Sequence, residues 1–326
     1  LRTSRLIKLS VLQVKSSAQS PGQTAMVYLT GQFSSLLYYW FISRILGFPI
    51  ILNYVEYRLA FNNRGFFTRI NDWLFDNYCA RWCDGILPIS EYLVEVVHKQ
   101  TRKTPQLKVP VICDFEKFAV TPEEDKKPHF LYVGAASYLP LIEFVTEAFD
   151  GLDNPNGVEL HLVLGGKPHQ IEAAQAHINK MQNSHLVHLT PNAPHTTIPQ
   201  RLANASGLLI PMRPTLQDEA RFPHKVGEYL ASSTPLITTA FGEIRYYFRD
   251  EETALIADDY DPAAFAEKMQ YIVQNPVAAA QIGENGRRMG LQEFNYITFG
   301  QRMRDFIAQV MGEEVLAEPV KHPANV

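Results

Sequence analysis

Residues Asp218–Ala240 read D-E-A-R-F-P-H-K-V-G-E-Y-L-A-S-S-T-P-L-I-T-T-A, and the fold is decided here. Pro223 suits the first position of a helix, where a missing N–H costs nothing. Val226, Tyr229 and Leu230 recur at helical spacing. Pro235 stops that helix, and Leu236–Thr239 is apolar and β-branched like a strand. The order is therefore loop, short helix, strand. A helix opening at Pro223 turns free N–H groups and a positive dipole end toward Pro223–Lys225, a ready place for an anion. Arg221 and Lys225 add formal charge there, and His224 either reaches a phosphate or is solvated. Glu228 falls one turn later as an acceptor for hydroxyls such as those of a ribose. A phosphate-plus-ribose site fits; so does an ordinary charged surface helix, which spacing alone does not separate from it.

The flanking sequence repeats the alternation. Upstream, strand patterns at Ala25–Thr30, Pro49–Tyr54, Gly85–Ile89 and Val109–Cys113 alternate with helical patterns at Gln32–Leu46, Phe66–Cys83 and Glu91–Gln100. Val120–Pro128 is polar, charged and framed by prolines, as linkers are. Beyond it, strands at Phe130–Val133, Glu159–Leu164, Leu186–Leu189, Gly207–Pro211 and Ala254–Ile256 are expected around the opening stretch, separated by helices. Such alternation implies doubly wound parallel sheets of the α/β class. The expected domains are residues 1–120, residues 121–300, and a C-terminal helix with tail over 301–326, the helix returning toward the first domain.

The text F-P-x-K-x-x-E-Y-L-A-x-x-x-P-L-I-T-T resembles the donor-site signature of retaining GT-B glycosyltransferases of family 4, typically E-x-F-P-x-K-x-x-E-Y-L-A-x-G-x-P-V-I. The resemblance continues in order through G-I-L-P-I-S-E-Y-L, V-P-V-I-C-D-F-E-K-F, F-L-Y-V-G, D-P-A-A-F-A-E-K-M, I-G-E-N-G-R and F-N-Y. It implies two Rossmann-like domains facing a cleft. The N-terminal domain would be incomplete, because the family's opening βαβ unit would precede Leu1.

The same resemblance implies a nucleotide-sugar donor and a saccharide or lipid-linked acceptor, with no cofactor and no metal. Lys225, Arg221 and Glu228 would be catalytic. Gly134, Ala135, Gly165, Thr190, Arg213, Pro223, His224, Lys225 and Glu228 would bind the donor, and Tyr54 and Glu56 would face the acceptor. Three departures stand out. Ala220 occupies the place of the motif's first glutamate, with Glu219 next to it. Ser233 replaces the usual glycine. The turn Gly134-Ala135-Ala136-Ser137 lacks the basic residues usual there.

Composition excludes several other classes. A chain of 326 residues with 46% hydrophobic and 20% charged content is that of a globular protein of about two domains. A net charge of −4 argues against nucleic acid as a partner. Three cysteines make no disulfide framework and fit reduced thiols in a cytosolic protein. The ten histidines show no H-E-x-x-H or H-x-H grouping, and no G-x-S-x-G or Walker loop occurs. Phe33–Leu52 is apolar but is broken by Ser34, Ser35, Arg44, Gly47 and Pro49, so it reads as a buried helix and core strand rather than a membrane span. The expected location is the cytoplasm, with peripheral association at the inner membrane face allowed by a lipid-linked acceptor. Two other readings remain: a GT-B-like scaffold that binds a nucleotide sugar without turnover, and another GT-B enzyme such as a sugar-nucleotide epimerase.

Overall fold

Apolar β-branched runs alternating with amphipathic ones give strands alternating with helices, and these form two sheets. The computed structural model describes residues 11–13, 24–28, 32–61, 64–124, 126–153 and 157–312, with side chains described from Gln32 onward. Contacts divide the chain into two units at Val109–Pro110 and again at Thr298–Phe299.

The first unit contains β1 (Val11–Gln13), β2 (Thr24–Tyr28), α1 (Phe33–Leu46), β3 (Ile50–Tyr54), α2 (Phe66–Tyr78), β4 (Gly85–Pro88) and α3 (Glu91–Gln100). The sheet order is β1-β2-β3-β4. β2, β3 and β4 are parallel and β1 is antiparallel. Gly47 closes α1 at φ 72°, in the left-handed region that glycine enters at no steric cost. The Ser90 hydroxyl caps α3 by accepting the Leu93 N–H at 3.3 Å. α2 stops before the expected Cys83, and a 3₁₀ turn covers Cys79–Trp82. The cause is Gln100: its amide accepts the Ala80 N–H at 2.9 Å and donates to the Asp76 carbonyl at 2.7 Å, inserting into the i→i−4 ladder. Among the described residues no helix is long and apolar enough to cross a membrane.

The expected strand Val109–Cys113 does not form. Pro110 has no N–H to donate, and the backbone partners on its two sides differ: Val109 donates to Pro88 and Cys113 to Phe294. The second unit thus begins upstream of the charged Val120–Pro128 stretch. Phe115 is buried in it, where its ring meets Gly290.

That second unit runs β5 (His129–Ala135), α4 (Leu139–Asp150), β6 (Glu159–Gly165), α5 (Pro168–Ile178), β7 (Val187–Pro191), α6 (Ile198–Asn204), β8 (Gly207–Ile210), α7 (Leu216–Glu219), α8 (Lys225–Ala231), β9 (Leu236–Thr239), α9 (Ile244–Tyr247), β10 (Leu255–Ala257), α10 (Pro262–Gln274) and α11 (Pro276–Glu293). Its sheet is parallel throughout, in the order β10-β9-β8-β5-β6-β7. Phe130, Leu160, Leu162, Leu209, Ile237 and Leu255 pack with apolar residues of α4, α5 and α10 into one core. The chain lays β6 and β7 on one side of β5, then crosses to lay β8 on the other. The reversal between β5 and β8 is the topological switch point, where open α/β sheets bind ligands at their carboxyl ends.

α12 (Tyr296–Met311) follows, and its residues from Phe299 to Met311 belong to the first unit. Phe306 and Ile307 pack there with Ile51 and Leu87. The expected tail beyond 312, and the last residues of the expected strand Ala25–Thr30, lie outside the described residues.

Candidate functional site

At the switch point the two central strands part. β5 pairs with β8 only at Phe130↔Gly207 and Leu131↔Leu208. Beyond them, residues of α8 serve the Val133 backbone. Its N–H donates to the Tyr229 hydroxyl at 3.2 Å, and its carbonyl accepts from Lys225 Nζ at 2.6 Å. α8 starts later than the sequence implies. It begins at Lys225 with His224 as its cap, and Pro223 lies in the preceding turn, its carbonyl accepting the Val226 N–H at 3.0 Å. The positive end of this short helix accordingly falls at His224–Val226 rather than at Pro223. His224 itself is exposed.

Two expected cations are held by a residue the sequence reading passed over. Asp218 is fully buried. Arg213 grips it with Nε at 3.0 Å and Nη2 at 2.9 Å, and Arg221 Nη2 approaches it at 2.8 Å. Both guanidiniums lie near the Tyr138 ring, at 5.9 and 5.8 Å from its centroid. Two positive groups against one carboxylate leave one net charge facing the switch point. The hydrogen bonds that Arg213 donates to Asp218 hold its guanidinium above its ordinary pKa despite burial.

Lys225 and Glu228 are half-buried. Burial lowers the Lys225 ammonium to about 8; Glu228 pulls it upward and Arg221 adds to the fall. Burial likewise raises the Glu228 carboxyl, opposed by His195, Lys225 and His224. Each of the pair therefore favours its charged form through the other. His195 was not singled out from sequence; nothing in its local text marks it, and only the fold brings it near Glu228.

Gly134, Ala135, Gly165 and Thr190 stand at the carboxyl ends of three adjacent strands. At Gly134 a Cβ would lie 2.4 Å from a ring carbon of Tyr132, so the site admits no larger residue unless that buried ring moves. The turn after it is tied down by Ala136 N–H donating to Gly165 O at 2.9 Å and Tyr138 N–H to Ala135 O at 3.0 Å. Asn192, at φ 47°, locks the neighbouring turn: its Oδ1 accepts from Gly166 N–H at 3.0 Å and its Nδ2 donates to Gly166 O at 3.3 Å.

The acceptor-side expectation needs a correction. Tyr54 is buried, with its hydroxyl donating to Asp76 at 2.8 Å, so it belongs to the core of the first unit. β3 is buried on both faces, with Ile50, Ile51 and Leu52 all in the core, so no inside–outside alternation marks Tyr54, and it is Asp76 that holds its hydroxyl inside. Glu56, beyond the strand, is exposed. Of the three departures, Ala220 is buried, and the neighbouring Glu219 carboxylate is occupied by Arg245 and by the Gly242 N–H at 3.2 Å. Ser233 takes φ 61°, a glycine-like conformation.

A parallel sheet with its switch point between β5 and β8, preceded by a second α/β unit, has the architecture of GT-B proteins. The family model of the Glycosyl transferases group 1 matches residues 114–289, more than half of the chain, and the chain belongs to that family. Solved structures share the fold. HepE of Anabaena in complex with UDP and glucose is 12% identical, with a TM-score of 0.71 over 87% of this chain and 78% of that one. Sucrose-phosphate synthase from Thermosynechococcus elongatus is 19% identical, with a TM-score of 0.69 over 88% of this chain and 74% of that one. The lipopolysaccharide outer core galactosyltransferase WaaB is 17% identical, with a TM-score of 0.61 over 87% and 75%. No curated protein matches the chain in sequence.

Proposed function

We propose that this chain transfers a sugar, with retention, from a nucleotide-diphosphate sugar to a saccharide or lipid-linked acceptor, as a family 4 member would in polysaccharide or glycoconjugate synthesis. The observation that carries the proposal is the gathering of Lys225, Glu228 and the Arg213–Asp218–Arg221 group at the switch point of the second sheet. The family match supports glycosyl transfer, and the likeness of F-P-x-K-x-x-E to the retaining signature supports the stereochemical course.

In this reading the bond between the sugar's anomeric carbon and the diphosphate oxygen breaks, and charge develops on the leaving diphosphate. Lys225, the first N–H groups of α8 and the net charge of the arginine group stabilise it. One such donor is worth about 3 kcal/mol, roughly a hundredfold in rate. Glu228 accepts from the ribose hydroxyls, the turns at Gly134–Ala135 and Gly165 lie along the donor, and Thr190 marks the base end. Glu56 faces the acceptor. The role of a metal is assigned to these fixed cations, with no cofactor. The reading places the enzyme in the cytoplasm, which suits three buried, unpaired cysteines. A peripheral position at the inner membrane face would use the exposed Tyr38, Phe41, Phe66 and Phe67.

One observation favours binding without turnover: Ala220 stands where the motif has its first glutamate, and Glu219 is already engaged. Calorimetry with UDP, GDP and ADP, followed by NMR of the product's anomeric configuration, tests both. Nucleotide binding without diphosphate release from any nucleotide sugar leaves the scaffold reading, and binding of none of the three removes both.

A further inference from the structure

The fold builds a second polar cluster at the opposite ends of the strands. Glu159 and His161 are two apart on β6, so their side chains share a face. His188 on β7 stands directly across from His161, and His129 on β5 directly across from Glu159. Sequence spacing hid this group, because its members meet across strands rather than along the chain.

Among the described residues, Glu159, His161 and His188 each offer one ligand atom, and these atoms lie within 4.8 Å of one another. His161 Nε2 is 3.0 Å from Glu159 Oε2, and His188 Nε2 is 3.5 Å from the same oxygen. Ligand atoms of a tetrahedral zinc ion stand about 3.3 Å apart, given metal–ligand distances of about 2.0 Å. The His129 ring stacks on His161 with centroids 4.1 Å apart, and its Nδ1 is 2.9 Å from the Lys127 carbonyl, so the plane of His161 is fixed. Lys127 takes the other carboxylate oxygen, Oε1, at 3.3 Å and leaves Oε2 to the imidazoles. Lys127, mostly exposed, and Arg201 on α6 are the cations nearby.

We propose that Glu159, His161 and His188 form a binding site for a divalent transition-metal ion of the zinc type, with water in the fourth position. Two imidazoles and one carboxylate are the donor set that such ions take. The ion replaces the His161–Glu159 hydrogen bond and the longer His188–Glu159 contact, and clips the edge strand β7 to β6. It lies at the amino ends of the strands, away from the switch point, so its effect falls on the stability of the second unit.

The test is titration of the whole chain with Zn²⁺ alone, by calorimetry and chelator competition, with Co²⁺ as a spectroscopic stand-in. Expected are one equivalent bound with micromolar affinity, an intense visible Co²⁺ spectrum of low coordination number, and a raised melting temperature. His161→Asn, His188→Asn and Glu159→Gln should each weaken binding about tenfold or more, while His98→Asn, in the other unit, changes nothing. His188 is exposed, so its variant folds regardless of the ion, and circular dichroism verifies this for all. Absence of saturable micromolar binding, or equal binding by His188→Asn and wild type, overturns the proposal.

Discussion

Lys225 Nζ donates to the Val133 carbonyl at 2.6 Å, and its charge rests beside the Tyr132 ring, 5.9 Å from the centroid. The bond exists because β8 leaves β5 after Leu131 and the Val133 carbonyl needs a donor. In the proposed reading a diphosphate would compete for this ammonium with a neutral acceptor, and charge-assisted bonds to phosphate are the stronger. Lys225→Ala is expected to weaken nucleoside diphosphate binding by about 1.5–3 kcal/mol, ten- to a hundredfold. Calorimetry reads this directly, and wild-type affinity in the variant would remove Lys225 from the site.

The same burial makes binding pH-dependent. Lys225 titrates at about 8 in the free chain against an ordinary 10.5. Affinity for the diphosphate should therefore fall as pH rises through about 8, and Lys225→Arg should abolish that fall. Stability moves the other way. Between about 8 and 10.5 the unfolded chain holds a proton that the folded chain has lost, so this group raises stability with pH across that window. Urea denaturation of wild type and Lys225→Met on either side of about pH 8 measures the difference.

Much of this was legible beforehand. Strand and helix periods placed β9, α10 and the start of α11 to the residue, because Pro235, Pro262 and Pro276 punctuate them. Lys225 and Glu228 were singled out from a signature, and the fold sets both on α8, with Lys225 on the Val133 carbonyl. What escaped depends on tertiary partners. Gln100 cuts α2 short from another element, and Tyr54 is taken inward by Asp76. Asp218 sat in plain view, three residues before Arg221, but only its burial shows that it commands two arginines. Glu159, His161 and His188 meet through register, which no single-strand pattern contains.

Asp218→Ala would leave Arg213 and Arg221 side by side with no counter-charge in a half-buried place. Removing one partner from a buried ion pair costs about 3–5 kcal/mol. Asp218→Asn keeps the shape and should cost less, since its amide oxygen still accepts one of the bonds. Denaturant midpoints on the two variants decide this, and a loss under about 1 kcal/mol for the alanine variant would mean the arginines are held otherwise.

Ser233 offers the opposite prediction, a gain. Its φ of 61° lies in the left-handed region, which costs an L side chain about 1–2 kcal/mol. The related signature carries glycine there. Ser233→Gly removes that strain but adds freedom to the unfolded chain, worth about 0.4–1 kcal/mol in the other direction. The net expectation is a stabilisation of about 0.5–1 kcal/mol, read as a higher urea midpoint with an unchanged slope. The backbone must keep this conformation because the Ser233 carbonyl presses on α11: a Cβ at Gly283 would lie 2.1 Å from it. Gly283→Ala should therefore cost about 1–3 kcal/mol by overpacking. The two sites touch, so the double variant should depart from additivity. A Ser233→Gly variant that is no more stable than wild type would show that the left-handed turn is not strained.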